Sequence, residues 1–255
     1  MTEMTNQINV LDNGFVRLRN IAGPTRRRMI KNWTLNNDGY SEDAFAEFDA
    51  DDTDVANAAR MSFDASDQTR TYEDEMKLTR YLLKNHHDTP FESIVVWLEF
   101  KLPIFVARQF VRHRTQSLNE VSGRYVTLPA EWYIPEKLGG KAANKKQGQE
   151  DNLDSGNNYY YRTALNKHCS DGYKTYLNAI EDGVAPEHAR LFLHLNHYTH
   201  WLSTMNLRNL LHFLNLRDHP HAQIEAQLYA KAIIELLEPH IPGIMDIWKE
   251  MRQQS

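Results

Sequence analysis

The sequence predicts an α+β chain, rich in helix and built around a small antiparallel sheet. Three observations carry this expectation. Val96, Leu98, Phe100 and Leu102 alternate with Trp97, Glu99 and Lys101, the period of a strand with one buried face. Short apolar patches over 8–20 flank Asp12-Asn13-Gly14, a hairpin signal. Beyond residue 158 the apolar residues fall at helical spacings, as in Leu207, Leu210, Leu211 and Leu214.

Taken in order, the hairpin comes first. Residues 23–52 lose periodicity; Arg26–Arg28 lead into an acidic, Asn-rich stretch expected to be a long loop. A helix is expected from about Asp54, with Val55, Ala58 and Ala59 on one face. A second, over 73–85, should turn Met76, Tyr81, Leu82 and Leu83 inward. The best strand, 93–102, is stopped by Pro103, which suits a helix's first turn. That helix should carry Ile104, Phe105, Ala107, Phe110 and Val111 and run to about Thr115. Residues 139–158 are polar and Gly/Asn-rich, the clearest flexible loop. Helices are then expected over 159–181, 187–203, 206–216 and 220–238.

The chain has 255 residues, enough for one large domain or two small ones. Its composition, 41% hydrophobic and 25% charged, is that of a soluble globular protein. The net charge of −5 does not suit a general nucleic-acid binder, so any anion should meet a local basic pocket. Cys169 is the one cysteine, which excludes an intrachain disulfide and a thiolate metal site within one chain. The polar N-terminus lacks the pattern of a signal peptide, and apolar runs such as Ile94–Leu98 are too short to span a bilayer. A cytoplasmic location is expected.

The chemistry concentrates in Gln109–Arg124. Between Arg108 and Arg124 stand four arginines and one acid, Glu120, an inversion of the overall charge. Gln109 and Arg112 are three apart, so on a helix they share a face. The segment after Arg114 supplies Ser117, Asn119, Ser122, Gly123 and Arg124, all loop-compatible. Arginine forks with hydroxyl and backbone donors suit a phosphate. A solvated, dipole-complementing helix end is the competing reading; it explains Arg112 and Arg114 but not the polar order that follows.

Residues 112–122 fit Arg-His-Arg-x-x-Ser-x-Asn-Glu-x-Ser at all seven fixed positions, and this run resembles the signature of the flavin-dependent thymidylate synthases. His87-Asp88-Thr89-Pro90-Phe91-Glu92 is similar to the family's flavin-contacting turn. Pro103–Gln109 resembles the helix leading into the signature. Asn206-x-Arg208 and Asn215-Leu216-Arg217 resemble its C-terminal ligand segment. The similarity covers about 8–22, 53–135 and 159–240; 23–52 and 139–158 look like insertions in a single domain spanning 1–255.

The resemblance implies conversion of dUMP to dTMP with 5,10-methylenetetrahydrofolate as carbon donor and NADPH as reductant through bound FAD. It also implies a homotetramer with active sites between subunits. The dUMP residues it implies are Gln109, Arg112, Glu120, Ser122, Gly123, Arg124, Arg190 and Arg217, with Arg217 activating the base. For FAD it implies Ser62, His87, Thr89, Arg112, His113, Arg114, Glu120, Asn206, Arg208 and His212. Arg208 and His212 are four apart, so both can face one ligand. No metal is expected. His194, His197 and His200, three apart on an expected helix, do not converge as an i, i+4 pair does, and packing is favoured for them. Cys169 has no arginine in sequence reach to activate it, and Ser122 no triad, so neither is expected to be a nucleophile. The Tyr159–Tyr161 run is expected at packing or an interface, and His219 and His221 beside the substrate site or at a helix start. Alternatives in other classes are a nucleic-acid-binding module and a family member that binds nucleotide and flavin without turnover.

Overall fold

The computed structural model describes residues 6–24, 50–63, 70–142, 148–150 and 153–253. The first hairpin is β1 (Gln7–Val10) and β2 (Gly14–Ala22). Then come α1 (Asp54–Arg60), α2 (Tyr72–Lys84), β3 (Val95–Pro103), α3 (Ile104–Phe110) and β4 (Ser117–Glu120). A two-residue ribbon, β5 (Gly140–Lys141) and β6 (Gln149–Glu150), precedes α4 (Ser155–Glu181) and the short α5 (Pro186–Ala189). The chain closes with β7 (Tyr198–Asn206), α6 (Leu207–Arg217), α7 (Ile224–Leu237) and α8 (Pro242–Gln253). The five-stranded sheet is antiparallel throughout, in the order β1-β2-β3-β7-β4. The α+β expectation holds.

The alternation in β3 does what its period requires. Val96, Leu98, Phe100 and Leu102 are fully buried against the helices. Val16, Leu18 and Ile21 of β2 and Trp201 and Met205 of β7 extend that face, and α3, α6, α7 and α8 cover it in one continuous core. A second cluster holds α4 in place through Tyr176 and Ala179, packed with Leu128 and Ala189. The N-terminal part of α4 leaves Tyr159, Tyr160 and Tyr161 exposed. Asp52 ties α2 to α8. Its carboxylate accepts from the N–H groups of Gly243 (2.9 Å) and Ile244 (2.8 Å), and from Tyr72 Oη at 2.8 Å. Two donors orphaned at the start of α8 are thereby satisfied. No helix among the described residues is long and apolar enough to cross a membrane.

Several expectations are corrected. Residues 187–203 are not a helix: a short helical turn ends at Phe192 and β7 begins at Tyr198. Ser117–Glu120 is a strand rather than loop, pairing with β7 from Ser117↔Thr204 to Glu120↔Trp201. The helix after Pro103 stops at Phe110, so Arg112 lies in the following turn. On α2 the inward residues include Glu75 and Thr79, while Tyr81 is exposed; Glu75 is compensated by an ion pair with Arg60. The last long pair of helices starts at Ile224, after the turn holding Pro220, and α8 lies beyond the last element expected. The expectations for residues 25–49, Arg26–Arg28 included, lie outside the described residues, as do 143–147 and 151–152 of the expected loop.

The hairpin is present, but its glycine serves a different purpose from the one Asn-Gly suggests. The left-handed residue of the turn is Leu11 (φ 61°), and Gly14 opens β2 opposite Val10. A Cβ on Gly14 would lie 2.1 Å from Tyr229 Oη and 2.6 and 2.8 Å from the carbonyl oxygens of Val10 and Lys101. Tyr229 occupies that space to donate to the Lys101 carbonyl at 2.7 Å. We expect Gly14→Ala to cost about 2–3 kcal/mol in urea denaturation, through overpacking. Adding Tyr229→Phe should recover part of that loss, whereas strictly additive effects would place the strain elsewhere.

Candidate functional site

The signature hangs from β7. Its first part is the turn after α3, where Gln116 Nε2 donates to the Phe110 carbonyl at 2.8 Å. Its second part is β4, on the open edge of the sheet. Two buried hydroxyls of β7 reach into it: Ser203 Oγ donates to Gln116 Oε1 at 2.9 Å, and Thr199 Oγ1 donates to Glu120 Oε1 at 2.5 Å. Thr199 and Ser203 were not among the expected site residues. Their sequence signal is alternation with Trp201 and Met205, blurred because two members of the buried face are polar.

Arg217, the last residue of α6, returns to the signature. Its Nε donates to His113 Nε2 at 2.9 Å. For that bond Nε2 of His113 must be unprotonated. Burial, then the charge of Arg217 and the neighbouring His212, push the His113 pKa down from 6.5 to about 4. The ring rests edge-on against Phe213 at 4.8 Å and lies 6.3 Å from the His212 ring. Arg217 is partly buried, and burial together with Arg112 lowers its pKa. Among the described residues no carboxylate lies within ion-pair distance of Arg112, Arg114 or Arg217. Arg17, Arg60, Arg80, Arg124, Arg208 and Arg252 all have one. A solvated helix end does not account for a partly buried arginine bonded to His113 and without a counterion. Gln109 is partly exposed, its Nε2 donating to Gln223 Oε1 before α7.

A second cluster forms around Gly123. A Cβ there would lie 3.1 Å from Leu128 Cδ1 and 3.5 Å from Arg190 Cδ. Arg190 Nε donates to the Glu187 carbonyl at 3.3 Å, while Arg124 pairs with the Glu187 carboxylate at 3.3 Å. Ser122 Oγ accepts from the Arg124 N–H at 3.3 Å. Arg124, Arg190 and Ser122 are thus assembled on one patch, from segments more than sixty residues apart in sequence. Among the described residues no hydrogen bond, ion pair or ring contact joins this patch to Arg112, His113 and Arg217.

Part of the third group borders a cavity of about 1010 Å³ between α2, α6 and α8; Ser62, His87, Thr89 and Asn206 are not among its lining residues. Arg208 and His212 both line it, as their four-residue spacing implies. Arg208 is held by Asp88, whose Oδ2 accepts from Nε at 3.1 Å and from Nη2 at 3.0 Å. Asn206 caps α6, its Oδ1 accepting from the Asn209 N–H at 2.9 Å. Thr89 opens the short helical turn Thr89–Ser93 beside Asp88, and His87 packs edge-on to Tyr81 at 5.8 Å. Ser62 sits exposed in the turn Met61–Phe63.

These placements resolve the remaining candidates. Cys169 is buried, its Sγ bonded to Asn196 Oδ1 at 3.3 Å, and burial raises its pKa, the opposite of an activated thiol. His194, His197 and His200 have three separate settings rather than one helix face. His194 lies 6.5 Å from the His168 ring, His197 is buried, and His200 Nε2 contacts Glu99 Oε1 at 2.8 Å. His219 lines the cavity, and its Nδ1 accepts from the His221 N–H at 3.1 Å.

The fold and the signature have counterparts among known proteins. The family model described as "Thymidylate synthase complementing protein" matches residues 45–243. The chain belongs to the flavin-dependent thymidylate synthase family. It is 38% identical over 211 residues to the flavin-dependent thymidylate synthase of Gluconobacter oxydans, covering 81% of this chain and 69% of that relative. It is 38% identical over 235 residues to that of Thermus thermophilus, covering 92% and 75%. Among solved structures, a UMP/dUMP methylase from Streptomyces cacaoi bound with 5-Br dUMP superposes with a TM-score of 0.76. That pair is 25% identical, with 95% of this chain and 97% of the other covered. The helix-rich α+β fold with its small antiparallel sheet is therefore the family's fold.

His113 makes a pH-dependent contribution whose sign follows from its lowered pKa. Between pH 6.5 and about 4 the unfolded chain binds a proton that the folded chain refuses, so stability falls as pH drops through that window and levels off below it. We expect the urea midpoint of His113→Gln to depend less steeply on pH over this window than that of the wild type. Identical slopes would show that His113 is not held neutral.

Proposed function

We propose that this chain makes dTMP by reductive methylation of dUMP, with 5,10-methylenetetrahydrofolate as methylene donor and NADPH as reductant through bound FAD. The observation that carries the reading is Arg217, which bonds through Nε to His113 of the signature and has no carboxylate within ion-pair distance among the described residues. A partly buried cation without a counterion is suited to an anionic ligand, and a nucleotide supplies one. Family membership, and a similar structure holding 5-Br dUMP, support the choice of nucleotide.

The residues assigned to dUMP are Gln109, Arg112, Glu120, Ser122, Gly123, Arg124, Arg190 and Arg217. Arg124 and Arg190 offer forked donors suited to the phosphate. Gly123 leaves the patch open, because a side chain there would press on Leu128 and Arg190. Arg217 commits Nε to His113 and keeps both Nη groups for a ligand. A guanidinium at the uracil edge lowers the cost of ionising N3 and so enriches electron density at C5, the carbon to be methylated. Thr199 and Ser203 fix Glu120 and Gln116, leaving the signature pre-arranged rather than mobile.

The residues assigned to FAD are Ser62, His87, Thr89, Arg112, His113, Arg114, Glu120, Asn206, Arg208 and His212. Of these, Arg208 and His212 line the cavity beside apolar Leu83, Phe91 and Leu211, a mixed lining that suits a dinucleotide. When bound, the flavin supplies the redox chemistry that no side chain of this chain can supply. Among the described residues no hydrogen bond, ion pair or ring contact joins the Gly123 patch to the Arg217 cluster within one chain. A second copy completing each site fits the homotetramer that the family resemblance implies.

The purified protein is expected to be yellow, to bleach with NADPH and recover in air, and to form dTMP only with dUMP and the folate. A colourless protein that takes up no FAD overturns the proposal. A yellow one without dTMP formation leaves a family member that binds without turnover. Arg217→Ala should lower kcat by about 10²–10³-fold while FAD absorbance is retained, the scale for removing one charge-stabilising donor. Loss of flavin in that variant would reassign Arg217 to cofactor binding.

A further inference from the structure

The cavity has a second wall that the flavin assignment does not use. It is the end of α2, where Lys84 and His86 face Arg208 and His212 across the opening. The helix ends in a paired reversal. The His86 N–H donates to the Leu83 carbonyl at 3.3 Å and the His87 N–H to the Leu82 carbonyl at 2.9 Å. Between them His86 adopts φ 56°. That is the position helices give to glycine, because a Cβ is disfavoured there. Here it carries an imidazole, exposed at the cavity.

The charges of this wall are unequally compensated. Arg80 pairs with Glu250, Arg252 with Asp218 and Arg208 with Asp88. Lys84 and His86 have no side-chain hydrogen bond or ion pair among the described residues. Asn215 faces the same space, also unbonded through its side chain. A strained histidine, a free ammonium and a free amide therefore line one cavity, whose lining mixes charged and apolar residues. Its volume is at the upper end for small-molecule sites, room for more than a mononucleotide.

We propose that the Lys84–His86 turn is a phosphate-binding element of this cavity and holds the phosphate-bearing part of a dinucleotide. The inference rests on the proposed function, in which two dinucleotides carry that chemistry: FAD through its diphosphate, and NADPH. Backbone strain retained at a cavity-lining position, with a lysine two residues before it on the same cavity, is the juxtaposition that carries it.

The test uses Lys84→Ala and His86→Gly in the full-length chain. His86→Gly places the permissive residue at φ 56°, so the fold should keep or raise its Tm. Two constants are read: FAD dissociation, from flavin fluorescence on reconstitution, and the NADPH dependence of flavin bleaching in a single turnover. Each variant should raise one constant about tenfold, less so in high salt, the size expected for one charge-assisted contact. A rise in the FAD constant assigns the turn to the flavin diphosphate; a rise in the NADPH constant assigns it to the reductant. Both constants unchanged within about twofold, in variants of a yellow and reducible wild type, would overturn this inference alone. So would weaker binding in His86→Gly that came with a lower Tm, which would make the residue structural. A wild type that takes up no flavin would instead remove the proposed function and this inference with it.

Discussion

The ladder between β3 and β7 is the constraint on which the rest of the molecule depends. It pairs nine positions, from Val95↔Asn206 to Pro103↔Tyr198. Both ends are sealed: the Leu207 N–H donates to the Ile94 carbonyl at 2.8 Å, and the Ile104 N–H to the His197 carbonyl at 2.9 Å. α3 departs from one end and α6 from the other, and both return over the buried face. Phe110 of α3 meets Phe100 of β3 at 6.0 Å and Phe213 of α6 at 4.9 Å. That aromatic stack sets where the two helices finish, and hence that Arg217 reaches His113. A slip of one residue in the ladder would turn Phe100 and Trp201 outward and dissolve the arrangement.

Much of this was legible in the sequence where one physical signal acted alone. The strand at 95–103 follows from strict alternation, and α6 from leucines at helical spacing. The strand at 198–206 reads as helix because its buried face mixes Thr199 and Ser203 with Trp201 and Met205. Those hydroxyls are polar because they orient Glu120 and Gln116, so the needs of the site erased the pattern that would have revealed the strand. The short α3 has a similar cause: the chain must leave the helix at Phe110 to deliver Arg112 and His113 in a turn. Gly123 beside Arg190 was legible only through family resemblance, since nothing local links residues so distant in sequence.

The arginines divide into those that hold a carboxylate and those that do not. Arginines that brace elements have carboxylates: Arg60 with Glu75 between α1 and α2, Arg80 with Glu250 between α2 and α8, and Arg252 with Asp218 between α8 and the end of α6. Arg112, Arg114 and Arg217 lack them among the described residues. A chain with a net charge of −5 does not lack acids to place there. Arg217 is bonded instead to His113, whose lowered pKa follows from burial and the neighbouring charge of Arg217.

β4 has a consequence for how the chain can vary. All four of its residues are exposed, and it borders the sheet on one side only. The most chemically informative stretch of the sequence therefore contributes little buried apolar area. In a library of single substitutions, cellular abundance would scarcely register changes at the exposed Asn119, and would register those at Glu120 through the buried Thr199 hydroxyl left without its acceptor. Changes at Phe100 or Leu210 would lower it far more, because both side chains are fully buried. The exposed edge strand and the buried strands are held by different constraints, so their sequences can drift at separate rates.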